Sequence, residues 1–380
     1  MCRTPSLCLP FILCYRCIVW FLPGCFKQSD NIILDFDARL RELQIYSGGW
    51  FRDNRCSHIS VRDTFYIYLV QKMQSKLDQQ RLHRFVHKLA RAMTNNGHVP
   101  WCFQEHWLGD EIPLYKHENV TVVDANMQFI IMVSWLYEND IGNARSLYLH
   151  CQRAWQWLDI SIVNDTLHEG VGASWETSRQ HKGTLLLSNI IMVQTLRAME
   201  LIHMYEKNVR QQQLFVKRHD RAVSTWVPEI YKTQETLPRI LAVYFNIVPL
   251  SFIKSFNQEI QSVWIPCRVV GPIENTPTTT AWLRGYPDQH DTIIWPWIGF
   301  LWIVVLKLRN QHDIASSWWT SYMEFHTPEN LYDIYNQETG KPIRRAFIKG
   351  HASHALTIAT WLAASAKLAV VTEHDIEHLI

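Results

Sequence analysis

The stretch TLLLSNIIMVQTLRAMELIHMYEKNVRQQQLFVKRHD, residues 184–220, reads as two helices in close succession, over 184–206 and 207–220. Its apolar residues recur at helical spacing. The same pairing repeats outward in both directions, with helices expected over 63–75 and 80–94, 123–139 and 142–158, 290–308 and 311–325, and 350–366 and 373–379. Between Glu229 and Phe256 a Pro-interrupted apolar region supplies another pair, which brings the count near six hairpins. The interval 257–288, with Pro266, Pro272, Pro277 and Pro287, reads as a long loop rather than a domain boundary. Strand-like alternation is scarce, so the fold class is all-α. Six hairpins closed into a ring make an (α/α)6 toroid, a six-hairpin barrel whose inner helices line a central funnel and whose connecting loops build a site at one end. A helical solenoid would also pair its helices, but the chain has no fixed-period repeat.

Composition fits one large core. Of 380 residues, 47% are apolar and 19% charged, and no long stretch has the polar composition of disorder. With 37 basic against 35 acidic residues there is no electrostatic footprint for nucleic acid, whereas a neutral polar ligand suits such a surface. The 17 tryptophans exceed what packing alone usually needs, and indole faces stack well on the C–H faces of sugar rings; filling helix–helix contacts is the plainer use for most of them.

The chain divides into an apolar leader, residues 1–30, and a helical domain, residues 31–380. Cys2, Cys8, Cys14, Cys17 and Cys25 crowd the leader, while Cys56, Cys102, Cys151 and Cys267 are scattered singly. None has metal-ligand spacing beyond the lone Cys14-x-x-Cys17, so a reduced protein without metal or other cofactor is expected. Leu22-Pro23-Gly24-Cys25 has the form of a lipoprotein cleavage box, although Arg16 interrupts the apolar run before it. A cytoplasmic protein is the first expectation and an exported or lipid-anchored form the alternative. No membrane span is expected in the main domain.

Several polar segments stand at the expected loop ends. LYDIYNQETGKPIRR, residues 331–345, combines Asp333, Tyr335 and a Thr-Gly-x-Pro turn. Glu176 follows Trp175 in the Gly-rich GVGASWETSRQHKG, residues 170–183, just before a helix. Beside an indole, a partly desolvated carboxyl has its charged form disfavoured, which suits proton donation; a solvated surface glutamate is the bland reading. Arg62-Asp63-Thr64 opens a helix, as does Asp124 in Val123-Asp124-Ala125. A guanidinium fixed beside a carboxylate offers paired donors and acceptors to vicinal hydroxyls. Helix capping is the alternative for Asp63, Thr64 and Asp124, and turn stabilisation for Asp333.

These segments, in this order, resemble the glucoamylase and amylo-alpha-1,6-glucosidase (glycogen debranching-type) group over about residues 47 to 366. Trp175-Glu176 is similar to the Trp-Glu of glucoamylases, where the glutamate is the general acid. Asp333-x-Tyr335-Asn336, with its downstream Thr-Gly, resembles the Glu-x-Tyr-Asn base segment. Gly97-His98-Val99-Pro100, Pro113-Leu114-Tyr115 and Val123-Asp124-Ala125 resemble the debranching group's Gly-x-Ile-Pro, Pro-Leu-Tyr and Val-Asp-Ala. Trp295-Pro296-Trp297-Ile298-Gly299 is similar to the Trp-Pro-x-x-Gly that opens a late inner helix.

The resemblance implies a glycoside hydrolase acting on a glucosidic bond in an oligosaccharide, glucan or small glucoside. One carboxyl protonates the leaving oxygen and another activates water, with inversion where they stand roughly 6.5–9.5 Å apart. It implies Glu176 as acid and Asp333 as base, with Glu329 as an alternative base. Arg62, Asp63 and Asp124 would hold the sugar, with Trp175, Trp295, Trp297 and Tyr335 around it; either late tryptophan can instead be core. The group's N-terminal β domain is not expected in this chain.

Two departures matter. The debranching acid is an aspartate at the position of Thr177, and Asp333 is one methylene shorter than the usual glutamate, withdrawing its carboxylate by about 1.5 Å. They leave open a catalytically weak or inactive carbohydrate-binding protein of the same fold. Lys341, Arg344 and Arg345 leave open a phosphorylase. His351 and His354, three apart on one helical face, have no third ligand near them in sequence.

Overall fold

The computed structural model describes residues 58–105, 111–117, 120–139, 144–169, 184–233, 235–262, 293–323, 335–336 and 355–365. The leader, Leu22–Cys25, the expected helix over 373–379 and residues 351–354 lie outside the described residues. Eleven α-helices are described: α1 Val61–Met73, α2 Gln79–Ala92, α3 Asp124–Asn139, α4 Tyr148–Asp159, α5 Leu186–Tyr205, α6 Val209–Lys232, α7 Thr236–Tyr244, α8 Ser251–Ser262, α9 Pro296–Leu308, α10 His312–Met323 and α11 Ala355–Ser365.

The odd-numbered helices form a closed inner ring, α1 on α3, α3 on α5, α5 on α7, α7 on α9, α9 on α11 and α11 back on α1. Their composition demands it. Every residue from Asp124 to Tyr137 in α3, and from Pro296 to Leu306 in α9, is buried, and a helix apolar all round must be covered on all sides. The outer helices carry a single buried stripe: Leu82, Phe85, Val86 and Leu89 in α2, and Phe215, Ala222, Trp226 and Ile230 in α6. That stripe carries α6 through Pro228 to Lys232, beyond the expected end at 220, so the Pro-interrupted pair begins later, at Thr236.

The inner helices run parallel. Near their N-termini Arg62 of α1 bonds Asp124 of α3; near their C-termini Lys72 of α1 bonds Glu138 of α3, Lys307 of α9 bonds the Ala364 carbonyl of α11, and Arg309, just after α9, donates to the carbonyls of Val243 and Tyr244 at the end of α7. Links from inner to outer helix are short, such as 206–208 and 309–311, whereas those from outer to inner are long over 93–123, 160–185, 263–295 and 324–354. Each of these long links therefore ends at the start of an inner helix.

Short strands stitch these links together. β1 (His58–Ser60), β2 (Cys102–Glu105) and β3 (Glu111–Leu114) make an antiparallel three-stranded sheet. β4 (Lys116–His117) pairs with β5 (Val120–Thr121), β6 (Ile162–Val163) with β7 (Thr166–Leu167), and β8 (Ile293–Ile294) with β9 (Tyr335–Asn336). Two buried asparagines bind links to inner helices. Asn126 accepts the Val99 N–H at 2.9 Å and donates to the carbonyls of Gly97 and Ala154. Asn189 accepts the Leu167 N–H at 2.8 Å and donates to the carbonyls of Leu167 and Leu185. At Gly97 the backbone has φ +95°, and a Cβ would lie 2.1 Å from the Arg153 carbonyl oxygen, so only glycine lets the link approach α4 this closely.

Two outcomes follow. Replacing Asn126 by Leu orphans three buried backbone groups and should cost at least about 3 kcal/mol, read as a lower urea midpoint at unchanged slope. Burial lowers the pKa of His87, His150, His203 and His219. An imidazole held below its ordinary value of about 6.5 binds protons more weakly folded than unfolded, so stability present above that value is lost as pH falls through it. Calorimetry from about pH 7.5 to about pH 5.5 should show a falling Tm; a flat profile would contradict this.

Candidate active site

The mouth of the barrel is set by where α1 begins. Ser60 caps α1, its hydroxyl oxygen accepting the Asp63 N–H at 3.1 Å, while Thr64 donates to the Ser60 carbonyl at 2.8 Å. The cap is therefore Ser60 rather than Asp63 or Thr64. The Val61 N–H donates to the Trp101 carbonyl, and the Trp101 N–H to the Leu114 carbonyl, which fastens the helix start to the three-stranded sheet. Arg62 and Asp63 thus leave the sheet in fixed directions.

Arg62 Nε donates to Asp124 Oδ2 at 2.7 Å, with the two side chains 15% and 6% exposed. Asp124 is the first residue of α3, and its carboxylate is engaged by an arginine on the neighbouring inner helix. Burial disfavours the Arg62 charge, but the charge and hydrogen bond of Asp124, aided by Asp63, outweigh it and hold the guanidinium above its ordinary pKa. One turn on, Tyr66 is buried and packs on Trp297 of α9, ring centroids 5.2 Å apart. Burial raises its phenol pKa, and Arg62 opposes that rise.

Trp295 occupies the N-cap position of α9, half-buried against the core, with Pro296 in the first turn. Trp297 is fully buried, a core contact of Tyr66 rather than an open wall. Tyr335 is also fully buried and opposes Ile294 in the β8–β9 pair, so the link holding residues 331–345 meets the start of α9. The structure thus brings Arg62, Asp63, Asp124, Trp295, Trp297 and Tyr335 to one end of one ring. Trp175, Glu176, Glu329 and Asp333 lie outside the described residues.

Three side chains at this end escape a sequence reading. Tyr66 and Gln128 lie four residues after Arg62 and Asp124 in their helices, a spacing that puts each on the same face as its predecessor. Glu169 is 5% exposed and follows β7, the strand that Asn189 clamps to α5. Its position ahead of the Gly-rich 170–183 segment was the available signal.

A separate cavity of about 490 Å³, lined in part by Lys72, Trp135, Glu138, Arg197, Tyr244 and Arg309, opens at the opposite end. Arg62 and Lys72 stand about 15 Å apart along α1. Among the described residues no group of three or more His, Cys, Asp or Glu side chains could hold a metal ion, and no described helix is long and apolar enough to cross a membrane.

Removing one partner of the Arg62–Asp124 pair leaves a buried charge uncompensated. Arg62→Met should cost about 3–5 kcal/mol, and the double change Arg62→Met with Asp124→Leu should recover much of it. A double variant no more stable than the single one, in chemical denaturation, would show that the pair is not coupled.

Comparison by sequence finds no matching protein-family model and no matching curated protein. By structure, the chain is similar to an uncharacterized conserved protein from Thermus thermophilus, with TM-score 0.59 and 11% identity over 87% of this chain and 99% of that one. It is similar to a GH63 mannosylglycerate hydrolase from Thermus thermophilus in complex with glucose, with TM-score 0.58 and 11% identity over 86% of this chain and 98% of that one. A rhamnosidase from Klebsiella oxytoca with rhamnose bound matches with TM-score 0.54 and 10% identity over 88% of this chain and 64% of that one. The chain has the all-α, six-hairpin toroid fold seen in these glycosidases.

Proposed function

We propose that the chain is a glycoside hydrolase acting on a glucosidic bond in an oligosaccharide, glucan or small glucoside. The observation that carries this reading is the Arg62–Asp124 pair, fixed at 2.7 Å where two inner helices begin, in a fold shared with a glucose-bound GH63 mannosylglycerate hydrolase. The pair presents donors and acceptors to adjacent hydroxyls without ligand-induced rearrangement. The resemblance of Trp175-Glu176 and Asp333-x-Tyr335-Asn336 to the glucoamylase and debranching group supplies the remaining roles. Glu176 protonates the leaving oxygen and Asp333 activates water on the far side of the ring, with inversion where the carboxyls stand roughly 6.5–9.5 Å apart. Burial of Tyr335 and its pairing in β9 support a fixed position for the segment two residues after Asp333. The Asn189 clamp on Leu167 does the same for the approach to Glu176.

A second reading rests on Thr177 and on the short Asp333 side chain, namely a protein of this fold that binds sugar without cleaving it. One experiment separates the two. Glucose release from a panel of α-glucosides and short glucans is measured for wild type, Glu176→Gln and Asp333→Asn at matched folded concentration. Hydrolysis predicts release by wild type and a fall of at least about 100-fold in each variant. No release by wild type, with the same sugars still raising Tm, supports binding without turnover. Release that requires inorganic phosphate transfers the reading to a phosphorylase.

A further inference from the structure

Asp124, Gln128, Ile131, Trp135 and Glu138 follow one another in α3 at spacings of four, three, four and three, which places them on one helical stripe. The stripe faces α1 along its length. Asp124 bonds Arg62, Trp135 stacks on Phe65 with centroids 5.6 Å apart, and Glu138 pairs with Lys72. Gln128 lies on this face one turn below Asp124, beneath the mouth of the barrel. It is 1% exposed, and among the described residues neither its Oε1 nor its Nε2 has a hydrogen-bond partner.

Several other buried polar side chains of the inner helices are answered by the protein. Asn126 and Asn189 each make three hydrogen bonds, and Ser134, Thr195 and Thr360 bond back to carbonyls of their own helices. A buried carboxamide with both ends unmet by protein groups destabilises a fold, and methionine would fill the same space without that penalty. A departure of this kind, one turn from an engaged arginine and aspartate, is expected where a ligand completes the missing bonds.

From this we infer that Gln128 is a sugar-binding residue at the floor of the candidate site, its carboxamide meeting a ligand hydroxyl directly or through one water. The inference rests on the glycosidase reading and extends it. The chemistry selects the ligand class. An uncharged amide offers an acceptor and donors together, which matches a hydroxyl rather than an anion or a cation. With Arg62–Asp124 one turn above, two successive levels of the barrel present mixed donors and acceptors, as a neutral polyhydroxylated ring requires.

The test compares wild type, Gln128→Met and Asp124→Asn by melting temperature and by calorimetric titration with glucose, maltose and the mono-deoxyglucoses. Gln128→Met should melt higher than wild type without sugar and bind glucose or maltose at least about tenfold more weakly. One deoxy position should weaken binding to wild type but not to Gln128→Met, identifying the hydroxyl that the amide meets. A lower melting temperature for Gln128→Met, or wild-type sugar affinity in it, overturns the inference. If Asp124→Asn loses sugar binding while Gln128→Met keeps it, only the role of Gln128 fails. If wild type binds none of these sugars, the inference falls together with the reading beneath it.

Discussion

Because α3 is buried from Asp124 to Tyr137 and α9 from Pro296 to Leu306, neither helix has a face to offer water, and each must be covered by neighbours on every side. A layered bundle would leave some flank of such helices exposed. A closed ring with an outer girdle covers them all, and once the ring closes the inner helices share a direction, as the bonds between their like ends require. The long links then converge at one end as a consequence of topology. Residues drawn from distant parts of the sequence, Arg62, Asp124, Trp295 and Tyr335, come to the same end without any one segment having to carry them all.

Two of the polar side chains in this core fix the links. Asn126 and Asn189 stand near the starts of successive odd-numbered helices and each bonds the link that precedes its helix. A carboxamide can satisfy an N–H and a C=O on the same strand, which a carboxylate cannot do. The Arg62–Asp124 pair has a different place. It bridges two inner helices at the mouth, where a largely desolvated pair keeps its geometry but gives little net stability.

The hairpins were legible because periodicity survives in a single sequence. The helices at 124–139 and 186–205 fall within a few residues of the spans expected from pattern alone. The extension of α6 past 220 was hidden by Pro228, which removes one bond to the residue four before it, a loss offset where Ala222, Trp226 and Ile230 continue the buried stripe. The strands were not legible, since pairs of two to four residues such as Ile293–Ile294 with Tyr335–Asn336 carry no alternation long enough to read. Arg62, Asp63 and Asp124 were found by resemblance to ordered motifs. Tyr66 and Gln128 were not, because a spacing of four residues acquires meaning only when one knows which face of an all-apolar helix turns to the axis.

Gln128 and Trp297 show how the same burial can have opposite meanings. Trp297 was a candidate wall for a sugar, yet it is fully covered and its ring is spent on Tyr66, so its contribution is to hold Tyr66, and through that helix Arg62, in place. Gln128 is equally covered but its amide meets no polar group among the described residues. Packing explains the tryptophan completely, since every atom of an indole carbon skeleton gains from contact. It leaves the amide unexplained, because contact without a hydrogen bond is a loss for such a group. Burial alone therefore does not distinguish these two side chains; the state of the polar atoms within them does.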